Sequence, residues 1–97
     1  KTPQMQKFIV TAEGRFKFGN VALHRNLLSP GESCIGGGVY EFQPSANRML
    51  LEGKSYDFGR VKWSWIDTLL VPSSLKGMEI LYEDLPLTDF VNLKYID

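Results

Sequence analysis

Three consecutive glycines, Gly36 to Gly38, constrain this chain more than any other feature. They lie inside the stretch CIGGGVYEF, Cys34 to Phe42. Glycine offers a core no side chain and loses more conformational freedom on folding than any other residue. Glycines at the mouth of a strand therefore mark a place where another element comes close to the backbone. Val39 to Phe42 then alternates as a half-buried strand does. A polar loop, QPSANR (Gln43 to Arg48), leads on to Met49–Glu52, so the two runs read as a β-hairpin.

The flanking segments supply further strands. Met5 to Thr11 (MQKFIVT) reads as a first strand, and Glu13-Gly14 as a turn. Arg15 to Phe18 (RFKF) alternates charged and aromatic residues as a half-exposed strand does, and Gly19-Asn20 signals another turn. Val21 to Leu28 has room for two helical turns at most, because Ser29-Pro30-Gly31 stops a helix there. In Trp63 to Val71, residues Trp63, Ile66, Leu69 and Leu70 recur at helical spacing, which predicts a short buried helix ended by Pro72. Met78 to Tyr82 reads as a late strand. Leu87 to Ile96 is expected to be a terminal amphipathic helix capped by Thr88. The expected fold class is α+β: a small single domain over residues 1–97, with a mixed, mostly antiparallel sheet flanked by one or two short helices.

Composition removes several classes of function. Ninety-seven residues suffice for one domain. Eleven Lys/Arg balance eleven Asp/Glu, so no nucleic-acid partner is expected. The balance is uneven along the chain. Residues 1–62 carry nine basic and five acidic side chains, and residues 63–97 carry two and six. The basic part suits an anionic ligand. The single cysteine, Cys34, allows no intrachain disulfide, and a single histidine, His24, argues against a zinc site. No metal and no cofactor is expected. There is no run of 18 apolar residues, so no membrane span is expected, and the cytoplasm is the favoured compartment.

Chemistry-bearing motifs are few. The chain has no GxxxxGK[ST] phosphate loop, GxGxxG fingerprint or GxSxG elbow. Cys34, beside Ile35, reads as a small packed thiol. His24 is the one side chain whose unperturbed titration falls near neutral pH, and Arg25 follows it directly. GKSYDFG (Gly53 to Gly59) is short, polar and bracketed by glycines. Such a loop turns successive N–H groups inward as an anion nest, to which Lys54 adds charge and Ser55 a hydroxyl.

The order His24, CIGGG, an aliphatic strand, then GKSYDFG resembles the Janus/ocnus family, the protein histidine phosphatase-like proteins. That family places a histidine at a strand-to-helix junction, then a C-L-G-G-G-R-I type segment, then Y-G-Y-S-x-x-[YF]-G. Here Cys34, Ile35 and Gly36 to Gly38 match the first block, and Gly53, Ser55, Phe58 and Gly59 match the second. The match spans residues 7–59. Residues 84–97 have no counterpart in it and form a C-terminal extension.

The resemblance implies a metal-independent hydrolase acting on the P–N bond of phosphohistidine or phospholysine. Its substrate would be a phosphorylated protein or a small phosphoramidate. His24 would be the general base for an attacking water, with covalent attack by His24 as the variant. The amides of Ser55, Tyr56 and Asp57 and that of Arg25 would cradle the phosphoryl oxygens, with charge from Lys54 and from Lys7 in the first strand. The Asp57 carboxylate would repel an anion, so it is expected to point away from the nest. The alternatives are a binding module of the same fold that recognises an anionic partner without turnover, and a structural relative without a working site.

Overall fold

The computed structural model describes residues 4–97, and the first three residues of the expected domain lie outside them. Eight strands form two sheets. They are β1 (Met5–Thr11), β2 (Phe16–Val21), β3 (Cys34–Gln43), β4 (Arg48–Glu52), β5 (Thr68–Pro72), β6 (Glu79–Tyr82), β7 (Leu85–Pro86) and β8 (Asn92–Ile96). The larger sheet has the order β2-β1-β3-β4-β6-β7. Its pairs are antiparallel except β4–β6, which is parallel. β5 and β8 pair in parallel as a second, two-stranded sheet. The molecule is thus mostly strand, with a mixed sheet and short helical turns, α+β in the coarse sense.

The alternation read in the sequence decides which face of the large sheet is covered. Phe8 stands opposite Phe18 and Val10 opposite Phe16. Tyr40 opposes Leu51, Phe42 opposes Met49, and Met49 and Leu51 oppose Ile80 and Tyr82. These residues share one face because strand side chains repeat with period two. Phe8, Val10, Phe16, Tyr40, Met49, Leu51, Ile80 and Tyr82 join Leu69 and Val71 of the small sheet in one buried cluster. An aromatic chain runs through it from Phe8 to Phe16, Phe18, Tyr40 and Phe42, with successive ring centroids 5.4 to 5.5 Å apart. The opposite face carries Lys7, Ile9, Gly37, Val39, Leu50 and Glu52.

Three expectations are corrected. The helix expected over 63–71 is a single 3₁₀ turn, Trp63–Trp65, followed by β5. The apolar residues there fit period two as well as a helical repeat: Leu69 and Val71 are buried while their neighbours Thr68, Leu70 and Pro72 are half-exposed. The terminal helix expected over 87–96 is a 3₁₀ turn, Leu87–Asp89, followed by β8, in which Leu93 and Tyr95 face inward between exposed Asn92 and Lys94. Finally, Gly19-Asn20 is not a turn. β2 runs through it because β1 offers an unbroken partner edge from Met5 to Val10. The sheet's helical companions are 3₁₀ turns of three or four residues, so the one or two short helices expected are single turns.

Candidate functional site

The site is built on the second face of the large sheet, the one that carries Lys7, Gly37 and Val39, and the glycine triplet lets it form. A Cβ on Gly37 would stand 2.7 Å from the Phe8 carbonyl oxygen and 3.1 Å from Cδ2 of His24. Gly36, at φ +148°, lies against the Arg60–Val61 backbone, and Gly38 lies against the Glu52 carbonyl. The glycines therefore admit neighbours from both sides, as the sequence predicts. The His24 ring is on one side and the strand leading to GKSYDFG, together with the chain beyond it, is on the other. The Gly37 amide donates to the Gly59 carbonyl at 3.0 Å, which ties the end of that loop to β3.

His24 opens a 3₁₀ turn, His24–Leu27, that directly follows β2 and the short link Ala22-Leu23. Asn26 closes the turn: its Oδ1 accepts from the Leu23 amide at 2.9 Å while its own amide donates to the Leu23 carbonyl at 3.0 Å. Ser29-Pro30-Gly31 follows, and Glu32 completes that bend by accepting from the Ser29 amide and from Lys17. The Lys17 ammonium holds the Glu32 carboxyl below its ordinary range, with further help from the Ser29 amide. The turn carrying His24 is thus fixed at both ends by side chains.

The His24 ring is 3% exposed. Its Nε2 is 2.7 Å from the Gly38 carbonyl oxygen. A carbonyl oxygen only accepts, so Nε2 carries the hydrogen and, in the neutral ring, Nδ1 is the basic nitrogen. Nδ1 has no hydrogen-bond partner among the described residues. The side-chain polar atoms there that are both fully buried and unpartnered are Trp63 Nε1 and Tyr82 Oη. Nδ1 is not one of them.

That groove, about 590 Å³, is lined by Lys7, His24, Lys54, Ser55 and Tyr56 together with Met5, Val39 and Gly53. Five of the seven residues singled out in the sequence thus meet in one cavity. Lys7 points across β1 and its Nζ donates to the Ala22 carbonyl, next to the His24 turn. Lys54 is exposed and lies 3.7 Å from Glu52, a loose surface pair. Ser55 Oγ accepts from the Phe58 amide at 3.1 Å and so shapes the loop. The amides of Lys54, Ser55, Tyr56 and Asp57 donate to no acceptor among the described residues. The Tyr56 side chain is fully exposed at the rim.

The two remaining residues meet each other. Asp57 Oδ2 accepts from the Arg25 amide at 3.4 Å. The carboxylate is directed at the His24 turn, and the Arg25 amide, expected to cradle a phosphoryl oxygen, is engaged by it. Cys34 is half-buried. Burial raises its thiol above the ordinary value, which suits a packed thiol over a reactive one.

Met5, Val39 and Glu83 were not singled out for the site in the sequence, and Gly38 and Gly53 were read there only as glycines of the two motifs. Gly38 supplies a carbonyl, and Met5, Val39 and Gly53 supply walls; none carries a chemical signal in its residue type. Glu83 anchors the loop from below. Its Oε2 accepts from the Gly53 amide at 2.7 Å and from Arg60 at 3.3 Å. The Gly53 amide, then Arg60, hold this carboxyl below its ordinary range, against a smaller opposing effect of burial. No cluster of three or more His, Cys, Asp or Glu suited to a metal ion occurs among the described residues.

No family model matches the chain, and neither a curated protein nor a solved structure shows a significant match to it. The Janus/ocnus resemblance therefore rests on the motifs of the chain itself.

Proposed function

We propose that this chain is a phosphohydrolase of the protein histidine phosphatase-like kind, which receives a phosphoryl group in the His24 groove and cleaves a P–N bond. One observation carries the reading. Nε2 of His24 is committed to the Gly38 carbonyl, which leaves Nδ1 as the basic nitrogen of a ring that lines one groove with Lys7, Lys54, Ser55 and Tyr56. A general base needs one defined basic nitrogen within reach of water, and a phosphoryl group needs donors and positive charge around its oxygens.

In the proposed reaction the phosphoryl group lies over the loop amides of residues 54–57, with Lys7 and Lys54 balancing its charge. Water attacks phosphorus as Nδ1 takes its proton. The P–N bond breaks and its electron pair stays on nitrogen, which gains a proton from solvent as it departs, while His24 returns the proton held at Nδ1 to solvent. Phosphorus changes no oxidation state, and inorganic phosphate is the product. A nitrogen leaving group is activated once protonated, so positioning and charge compensation do most of what the protein must do.

A second reading has its own observation. Asp57 engages the Arg25 amide and places a carboxylate at the edge of the site. A groove with that donor engaged binds an anion more weakly and suits recognition without turnover. Phosphorus NMR of free phosphohistidine and phospholysine in the presence of the protein separates the two. The hydrolase reading predicts phosphate release by wild type and a loss of at least about 100-fold in His24→Ala, the scale of a missing general base. Equal release by both proteins would remove His24 from its role. Ligand binding without release would leave the binding module.

A further inference from the structure

The pairing of β1 with β3 ends at Lys7–Val39. β1 nevertheless continues back to Met5 against β2, and β3 continues to Gln43 against β4. Past Val39 the two strands part, each keeping only its outer neighbour, and their facing edges have no partner strand among the described residues. A depression of about 660 Å³ lies over this parting and runs on across the sheet, from Asn20, Gln4 and Gln6 past Tyr40 and Glu41 to Leu50, Glu52 and Asp84. It shares the walls Met5 and Val39 with the His24 groove, so the two adjoin.

Unpaired strand edges present main-chain donors and acceptors, and an extended peptide satisfies them by adding a strand. The charge of the cleft sets the chemistry of that peptide. Glu41, Glu52, Glu83 and Asp84 line it, and no Lys or Arg does. Glu83 is engaged by Gly53 and Arg60 and Glu52 lies near Lys54, which leaves Glu41 and Asp84 as the carboxylates without a cationic partner among the described residues. The adjoining His24 groove carries Lys7 and Lys54. The surface is bipolar: cationic where a phosphoryl group would sit and anionic beside it.

We infer that the cleft seats an extended Lys/Arg-rich segment of a partner polypeptide, pairing with the free edge of β3 past Val39. This rests on the phosphoryl reading of the adjoining groove for its biological sense: the substrate would be a phosphorylated side chain flanked by basic residues. Its physical content is independent of that reading.

The probe is a short, unphosphorylated, end-blocked peptide of alternating Arg and Thr carrying a fluorophore, followed by anisotropy. Wild type binds it saturably. The double variant Glu41→Gln, Asp84→Asn weakens binding by about tenfold or more, the scale expected for lost charge complementarity. Both side chains are exposed, and asparagine tolerates the left-handed backbone that Asp84 adopts at φ 67°, so this variant keeps the fold. An Arg/Thr peptide N-methylated at alternate residues keeps its charge but cannot complete a strand, and it loses binding. Equal binding of the methylated peptide, wild-type affinity in the double variant, or equal affinity for a Glu/Thr peptide of the same length would each overturn the inference. Peptide binding without any phosphate response at His24 would uphold the cleft and sink the hydrolase reading. A phosphate response without peptide binding would do the reverse.

Discussion

Gly37 is held between the Phe8 carbonyl and the His24 ring; the carbonyl, 2.7 Å from where a Cβ would stand, disallows a side chain, and the ring at 3.1 Å would have to give way. A backbone carbonyl of a central strand cannot swing away as a flexible side chain does. Gly37→Ala is therefore expected to lose about 1–3 kcal/mol, the usual range for overpacking a filled site. Chemical denaturation gives the loss, and an unchanged midpoint would show that the strands have room to part. Glu83 makes a prediction that depends on pH. Its carboxyl titrates below its ordinary value in the folded protein, chiefly through the Gly53 amide. The ionised form is the one that folding favours. The stabilisation is therefore full above the ordinary glutamate range and lost as pH falls through the lowered value. Glu83→Gln should melt below wild type at neutral pH, and the two melting curves should converge in acid. A gap that persists at low pH would trace the effect to shape and not to charge.

At the scale of elements, the turn His24–Leu27 is the smallest unit whose failure would disable the site. Asn26 satisfies the Leu23 amide through its side chain, the work of a helix cap done on one 3₁₀ turn. Asn26→Ala should cost about 1 kcal/mol, as loss of a cap does. It should also lower turnover while leaving the binding of inorganic phosphate at the loop amides nearly unchanged. Parallel loss of binding would mean that the turn and the loop fold as one unit.

The elements also show what a sequence of this kind makes legible. β1 and the β3–β4 hairpin are readable because their apolar residues are continuous or alternate and because glycine and proline punctuate their ends. The close approach at Gly36 to Gly38 is readable because three glycines have no other use in a strand. β5 and β8 are not. Trp63, Ile66, Leu69 and Leu70 satisfy a helical repeat, while Leu69 and Val71 satisfy a strand's period of two, and only the parallel pairing with β8 decides between them. Gly19-Asn20 has turn chemistry, yet a long neighbouring edge overrides it. In the site, His24, Lys7 and the loop stand out by residue type. The Gly38 carbonyl and the Asp57–Arg25 contact do not, because each depends on which backbone group a fold brings near.

For the molecule as a whole, overall neutrality conceals a division of charge. The basic surplus of residues 1–62 supplies Lys7 and Lys54 to the His24 groove, and Glu83 and Asp84 of the acidic remainder line the depression that adjoins it. The aromatic chain and the β5–β8 sheet cover one face, and on the other the His24 turn packs against Gly37 and leaves the groove beside it. A ligand bound only by the folded state should raise the stability of the entire domain. At about a hundred times its Kd, inorganic phosphate should add about 2.7 kcal/mol, seen as a rise in melting temperature that His24→Ala retains and that a loss of the Lys54–Asp57 loop abolishes.

The most direct test of the central claim is NMR of the His24 ring nitrogens and the backbone amides during titration with inorganic phosphate. The proposed function predicts a hydrogen on Nε2, toward the Gly38 carbonyl, with Nδ1 and the amides of residues 54–57 moving together as phosphate is added. A ring protonated at Nδ1, or a titration to millimolar phosphate in which neither region moves, would contradict the account.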